Sequence, residues 1–479
     1  METLEDQIVE DACGICVSHS LHDTHSMMKA LQHRGREGAG IFFFGKNRLD
    51  VIKWRGSVDM FDLSDFYKML PMEEYHTFGG HVRYATQGRK DRILDDAHPH
   101  VIGGETIERG NHVIILNCQA AIIHNGQVNS EYLKEINKSE LKTGCDTERV
   151  LHFFRENGEE GMLKKIPGAY TLAIADMRMK DVIIARDGTG IKPGVLGWKD
   201  GKSVIASEDI AFGKIGAEFV EDLTPGSVYY LQPEGNYKER HIIDLPISHC
   251  FFEWNYIAHA DSIINRRRVS IVRENLGEML AEECIPTDAD IVSFLPRCPA
   301  PAAKNYAKAS GIKLEYIFYK PHSERAFMGS TSQDRASSIG NNLYLSPIVN
   351  LKNKNIILID DSTVRGNNSK RAIKMLKEAG SGKVYLLNYT PKIGITPRDK
   401  VPRGCSYGVD MPPEDDFIVR VHKDGLITNE NRSDEEIANE IGADKVYFLS
   451  KQGMLNAFKK SGVNPKELCT FCIGGKRPF

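Results

Sequence analysis

The sequence predicts a layered α+β region followed by a doubly wound α/β region, and three observations carry that reading. From about Cys13 to about Leu245, short β-rich runs follow one another with little helix between them. They include Gly40-Ile41-Phe42-Phe43-Phe44, Val113-Ile114-Ile115-Leu116, Tyr170-Thr171-Leu172-Ala173-Ile174 and Asp181-Val182-Ile183-Ile184-Ala185. From about Asp290 onward, apolar strands at 291–294, 314–317, 356–359 and 383–387 alternate with helical segments, the pattern of a parallel sheet covered by helices. A chain of 479 residues also exceeds one typical core, so two or more domains are expected, with a boundary near Pro246.

Composition narrows the function classes. The 62 basic and 65 acidic residues give a formal net charge of −3, so no basic field argues for nucleic acid. No apolar stretch is long enough to span a bilayer. Residues 1–11 are acidic and lack an apolar core, unlike a signal or transit peptide. A soluble, cytoplasmic protein is expected. In that setting ten cysteines point to reduced thiols, metal ligation or catalysis rather than disulfides.

The most informative stretch is Ile356-Ile357-Leu358-Ile359-Asp360-Asp361-Ser362-Thr363-Val364-Arg365-Gly366-Asn367-Asn368-Ser369. A buried-type strand delivers two carboxylates, and a small polar loop then opens a helix that Gly380 can stop. Ligands of open α/β sheets sit at the carboxyl ends of strands, and phosphates sit at helix N-termini. The amides of 363–368 can cradle a phosphate. The two acids suit a sugar diol, with or without Mg²⁺. A sugar phosphate is the natural ligand. The run resembles the phosphoribosyl-pyrophosphate (PRPP) motif of type I phosphoribosyltransferases. The resemblance implies that Asp360 and Asp361 meet the ribose hydroxyls and Mg²⁺. Ser362, Thr363, Arg365, Gly366 and Asn367 then hold the 5′-phosphate.

In the first half, Cys13-Gly14-Ile15 follows the acidic leader, and an isolated cysteine of this kind is by itself an ordinary small hydrophobe. Later segments change its weight. They are 31–40 (LQHRGREGAG), 80–88 (GHVRYATQG), 123–128 (IHNGQV) and 145–148 (CDTE). In this order they resemble the glutaminase domain of class II glutamine amidotransferases, which are N-terminal-nucleophile hydrolases with a layered αββα fold. The resemblance covers roughly residues 13–230. It implies that residues 1–12 are a propeptide and that the mature protein begins at Cys13. Cys13 would then carry both the thiol and a free α-amine as its base, with pKa values of about 8.5 and about 7.7–8.0. The side chain of Asn125 and the N–H of Gly126 would form the oxyanion hole. Arg83 and Asp146 would clamp the α-carboxylate and α-ammonium of glutamine.

A terminal C-x-x-C, Cys469 and Cys472, with the distant Cys250 and Cys405, can complete a Cys₄ site. Spacing alone leaves structural zinc and an iron–sulfur cluster both open. Residues 402–410 and 468–472 resemble the segments that ligate a [4Fe–4S] cluster in a branch of the amidophosphoribosyltransferase family. That family places a class II glutaminase before a PRPP domain, the order found here. Residues 252–262 resemble the start of its transferase domain. The resemblance implies glutamine and PRPP as substrates, inhibition by purine nucleotides and a homotetramer or homodimer. The implied domains are 13–245 and 246–479. Cys16, Cys118, Cys145, Cys284 and Cys298 show no ligand spacing and read as packing residues.

Some positions depart from the family pattern. Arg297 and Cys298 stand where the pyrophosphate loop carries an acid and a small hydroxyl residue, and His259-Ala260 replaces Arg-Pro. The loop that closes over PRPP retains Lys320, Arg325, Phe327 and Arg335, while Asn342 stands where a lysine is usual. These departures define the alternative to the transferase, a regulatory protein that binds PRPP or nucleotides with a degenerate transfer site.

Overall fold

The computed structural model describes residues 13–83, 93–128, 133, 141–319, 343–405, 407–409, 411–423 and 426–479. The leader 1–12 and the loop residues Lys320, Arg325, Phe327, Arg335 and Asn342 lie outside the described residues.

Successive side chains along an extended chain point to opposite faces, and the first half buries both. In the strand Gly38–Gly45, Ile41 and Phe43 enter one buried cluster, while Phe42 and Phe44 enter a second. In Gly168–Asp176, Ala173 and Ala175 share the second cluster, while Leu172 and Ile174 enter a third. Three cores require four layers. Helices Leu21–Ala30 and Ile210–Ile215 close the first core with Met27, Met28, Ala211 and Phe212. Helix Asp146–Lys165 closes the third with Val150, Leu151 and Phe154. The middle core lies between two arms of one antiparallel, 13-stranded sheet that curls over itself, bringing Gly14–Ser18 across from His112–Val128. This is the αββα arrangement.

The expectation of little helix in this half fails at Asp146–Lys165, which is 20 residues long. Gly158, at φ 69° and ψ 178°, breaks the helical geometry between Phe154 and Met162. The apolar period is interrupted there, so a reading by periodicity misses it.

In the second half, five parallel strands stand in the spatial order Lys313–Leu314, Ile291–Phe294, Ile356–Asp360, Val384–Asn388, Lys445–Phe448. Along the chain this is order 2-1-3-4-5, whose winding reverses between Ile291–Phe294 and Ile356–Asp360. The edge strand is shorter than the expected 314–317. The amide of Ile317 turns back to the carbonyl of Glu315 at 3.1 Å and to the hydroxyl of Ser293 at 3.3 Å instead of joining the ladder, so the pairing stops short. Helix Asn367–Glu378 begins three residues before the helical pattern read from Lys370 and is followed by Gly380 at φ 81°. Among the described residues a separate core runs from Cys250 to Ile473 and takes only Ala169 and Ile191 from the first half. Among the described residues no helix is long and apolar enough to cross a membrane.

Candidate active sites

Cys13 immediately precedes the strand Gly14–Ser18. Gly14 pairs with Val82 in an antiparallel ladder, so the same register continued by one residue sets Cys13 opposite Arg83. Ser207 ties this strand to Asn125: its hydroxyl accepts from the amide of Ile15 at 3.0 Å and lies 3.2 Å from Nδ2 of Asn125. The side chain of Asn125 is fully buried, and its Oδ1 has no protein partner. Gly126 has φ 147°, and a Cβ there would lie 1.9 Å from the carbonyl oxygen of Ala169. Only glycine fits. Arg83 lies 3.6 Å from Asp96, and its Nη1 is buried without a partner. Asp146 opens helix Asp146–Lys165 and accepts from the amide of Val128 at 2.8 Å. Burial pushes the Cys145 thiol up to about 12; Asp146 adds to the rise and Arg83 opposes it. The two proposed glutamine clamps thus lie near one point.

The second site lies at the winding reversal. Asp360 ends the central strand, and both acids are buried. Asp360 accepts from the amide of Asp361 at 2.9 Å and the hydroxyl of Ser369 at 3.0 Å. Ser362 donates to Asp361 at 2.7 Å, and Thr363 to Asn388 at 2.7 Å. Burial first, and the neighbouring Asp360 second, push the Asp361 carboxyl well above the usual carboxylate range. Gly366, at φ 81°, turns the loop into the helix that begins at Asn367; a Cβ there would meet Ile418 at 2.6 Å. The first amides of that helix have no partners within it, as an anion site requires. Arg365 is held by both oxygens of Asp415, at 2.8 and 2.7 Å.

Residues that sequence reasoning did not single out join the two sites. Arg34 donates through Nε to the carbonyl of Cys13 at 3.0 Å and through Nη2 to both oxygens of Glu253 at 3.1 Å. Its Nη1 meets Glu208, which in turn accepts from the amide of His259 at 2.8 Å and the hydroxyl of Ser262 at 2.6 Å. Beyond Glu253 a short π-helical turn, Glu253–Ile257, leaves carbonyls unpaired by normal helical bonds. Arg273 caps the carbonyls of Trp254, Tyr256 and Ala258 at 2.8, 3.1 and 2.7 Å, and the Tyr389 hydroxyl caps that of Asn255 at 2.6 Å. Both Arg273 and Tyr389 interact electrostatically with Asp361. No local pattern marks these residues, because their partners lie far away in sequence.

The four distant cysteines converge. Cys250 and Cys469 are partners in a short parallel pair of strands. The Cys405 sulfur accepts from the amide of Val409 at 3.3 Å. Burial, and then the other three sulfurs, push the Cys472 thiol well above its ordinary range. Cys145, read from sequence as a packing residue, has polar neighbours. It lies with His98 and His100, one potential ligand atom from each falling within 4.8 Å of the others.

Residues 104–214 match the family described as glutamine amidotransferase domain. The chain is 31% identical to the amidophosphoribosyltransferase of Methanothermobacter thermautotrophicus, covering 98% of this chain and 95% of that one. It is also 31% identical to the Bacillus subtilis amidophosphoribosyltransferase, over 95% of this chain and 90% of the relative. A solved structure of glutamine PRPP amidotransferase from B. subtilis complexed with ADP and GMP superposes with a TM-score of 0.77 at 28% identity, over 97% of each chain. An αββα glutaminase fold followed by a doubly wound phosphoribosyltransferase fold defines a glutamine-dependent pentosyltransferase. The chain belongs to the amidophosphoribosyltransferase family.

Proposed function

We propose that this chain hydrolyses glutamine at Cys13 and joins the released ammonia to the anomeric carbon of PRPP. The products are glutamate, 5-phosphoribosylamine and pyrophosphate, the first step of de novo purine biosynthesis. The carrying observation is the segment 253–262, bonded at one end to Arg34 beside Cys13 and in its middle to Arg273 and Tyr389 beside Asp361. A bonded path of this kind suits two reactions that must share an intermediate, since ammonia protonates in water and stops being a nucleophile.

Removal of residues 1–12 gives Cys13 a free α-amine, which takes the thiol proton and returns it to the departing ammonia. The N–H of Gly126 and the Nδ2 of Asn125 donate to the oxyanion. Arg83 and Asp146 bind the two charged ends of glutamine. The domain boundary is placed at 245/246.

In the transferase half, Asp360 and Asp361 hold the ribose hydroxyls, and the amides and hydroxyls of 362–367 hold the 5′-phosphate. Two adjacent carboxylates are hard oxygen donors that fit Mg²⁺. When bound, Mg²⁺ neutralises charge on the departing pyrophosphate. Arg365 acts by fixing the loop against Asp415, with its backbone rather than its guanidinium available to phosphate.

Cys250, Cys405, Cys469 and Cys472 suit a [4Fe–4S] cluster. The four sulfurs would hold the cluster in a structural role, tying the C-terminal residues to the domain junction. Purine nucleotides are proposed as inhibitors, consistent with the ADP and GMP of the Bacillus complex. A cytoplasmic homotetramer or homodimer completes the reading.

The test uses protein purified without oxygen and supplied with glutamine, PRPP and Mg²⁺. Equal release of glutamate and pyrophosphate is expected. Glutamate release that ignores PRPP, with no pyrophosphate, would overturn the transferase assignment.

A further inference from the structure

We propose that His98, His100 and Cys145 form a second metal site, for one tetrahedral ion of the zinc class, beside Arg83 and Asp146 of the glutaminase half. Nothing in the amidotransferase reaction calls for such an ion, and the binding claim does not rest on the assignment of that reaction. Its consequence for glutamine does.

The geometry is that of a built site. His98 lies in a bend, joined through a cis peptide bond to Pro99, and His100 opens the strand that follows. Their rings meet edge to face, with centroids 4.7 Å apart. Each imidazole has one nitrogen engaged. Nε2 of His98 bonds the hydroxyl of Thr147 at 3.0 Å, and His100 bonds the main chain of Asp96. The remaining nitrogens, Nδ1 of His98 and Nε2 of His100, are buried with no partner. Metal-binding histidines show this division of labour, one nitrogen held by an outer bond and the other left for the ion. The Cys145 sulfur supplies the third donor, with all three sites within 4.8 Å of one another.

The donor set fits zinc. Two imidazoles and one thiol are borderline-soft ligands, and three protein ligands leave one tetrahedral position for water or substrate. Neutral imidazoles offer the lone pairs such an ion needs. Coordination would form the S–Zn bond as the Cys145 S–H proton passes to solvent. The nearby cations Lys53 and Arg83 oppose an added positive charge, and Asp95, Asp96 and Asp146 offset them.

Placement gives the ion a positioning role. Cys145 is the N-cap of helix Asp146–Lys165, so fixing its sulfur fixes Asp146. Thr147 bridges His98 to Nδ1 of His124 at 2.9 Å, and His124 precedes Asn125. One ion would therefore brace both the ammonium clamp and the oxyanion strand.

The experiment measures zinc and iron per chain in the full-length, cluster-loaded protein after incubation with zinc and gel filtration. Wild type should retain about one zinc. Cys145→Ser and His100→Gln should lose it while iron content stays unchanged. Thr147→Val should weaken zinc binding by about 10–100-fold. Cobalt(II) in place of zinc should give a sulfur-to-cobalt charge-transfer band that disappears in Cys145→Ser. Circular dichroism establishes that the variants fold, and His100→Gln decides the matter should Cys145→Ser fail to do so. Failure of folded wild type to retain more zinc than His100→Gln would overturn the proposal.

Discussion

Arg34 and Glu253 form a buried ion pair across the junction of the two halves, with Nη2 of the guanidinium 3.1 Å from each carboxylate oxygen. Both side chains are almost fully excluded from solvent. The same guanidinium holds the carbonyl of Cys13, so the proposed nucleophile and the first residue of the connecting turn share one anchor.

Removing Glu253 leaves two buried cations, Arg34 and Lys192, with one fewer counter-charge between them. Glu253→Ala is expected to cost about 3–5 kcal/mol of stability, read as a lower denaturant midpoint. The milder Glu253→Gln should fold and release more glutamate than pyrophosphate, measured as the ratio of the two products. An unchanged ratio of one would separate this pair from ammonia transfer.

The oxyanion donors predict a defect confined to one half. Asn125→Ala should lower glutamine-dependent kcat by about 10²–10³-fold, equal to about 2.7–4 kcal/mol of barrier. Synthesis supplied with external ammonia should continue near the wild-type rate. Parallel loss of both activities would point to misfolding instead.

Asp361 links stability to pH. Its folded-state pKa is raised, so above the unfolded-state value of about 3.9 the folded chain holds a proton that the unfolded chain has released. Stability contributed by this group is therefore full below that value and falls as pH climbs towards the folded-state pKa. Asp361→Asn should flatten this part of the pH–stability curve and raise Tm at neutral pH. It should also abolish PRPP use while sparing basal glutamine hydrolysis. A lower Tm at neutral pH would contradict the assigned burial.

Gly366→Ala places a Cβ 2.6 Å from Ile418 at a residue with φ 81°. A left-handed conformation costs an L-residue about 1–2 kcal/mol. The phosphate loop should shift, raising KM for PRPP with little effect on glutamine KM. Equal changes in both would place the effect outside the loop.

Cys472→Ser tests the cysteine quartet. Iron content, about four atoms per chain when a [4Fe–4S] cluster is bound, should fall steeply, and the visible absorbance with it. Retained iron would move the cluster elsewhere.

Much was legible in local pattern. The run 356–369 showed its strand, its two acids, its glycine and its helix in order, because each is a short-range signal. The β-rich runs at 40–44 and 170–174 were also readable as strands, although which face met which core was not. The helix Asp146–Lys165 was hidden by the break at Gly158. Cys145 looked like filler because its partners His98 and His100 lie more than forty positions away.

The sequence by itself determined the two fold classes, the family resemblance and the residue types at each reacting centre, since these follow from periodicity and motif order. Only the tertiary structure decided how the centres are joined. Arg34, Glu208, Glu253, Arg273 and Tyr389 act through hydrogen bonds between segments far apart in the chain. The same holds for Arg365, whose guanidinium Asp415 occupies, and for the histidine–cysteine trio. Such pairings depend on how sheets curl and helices dock, which no local stretch of sequence encodes.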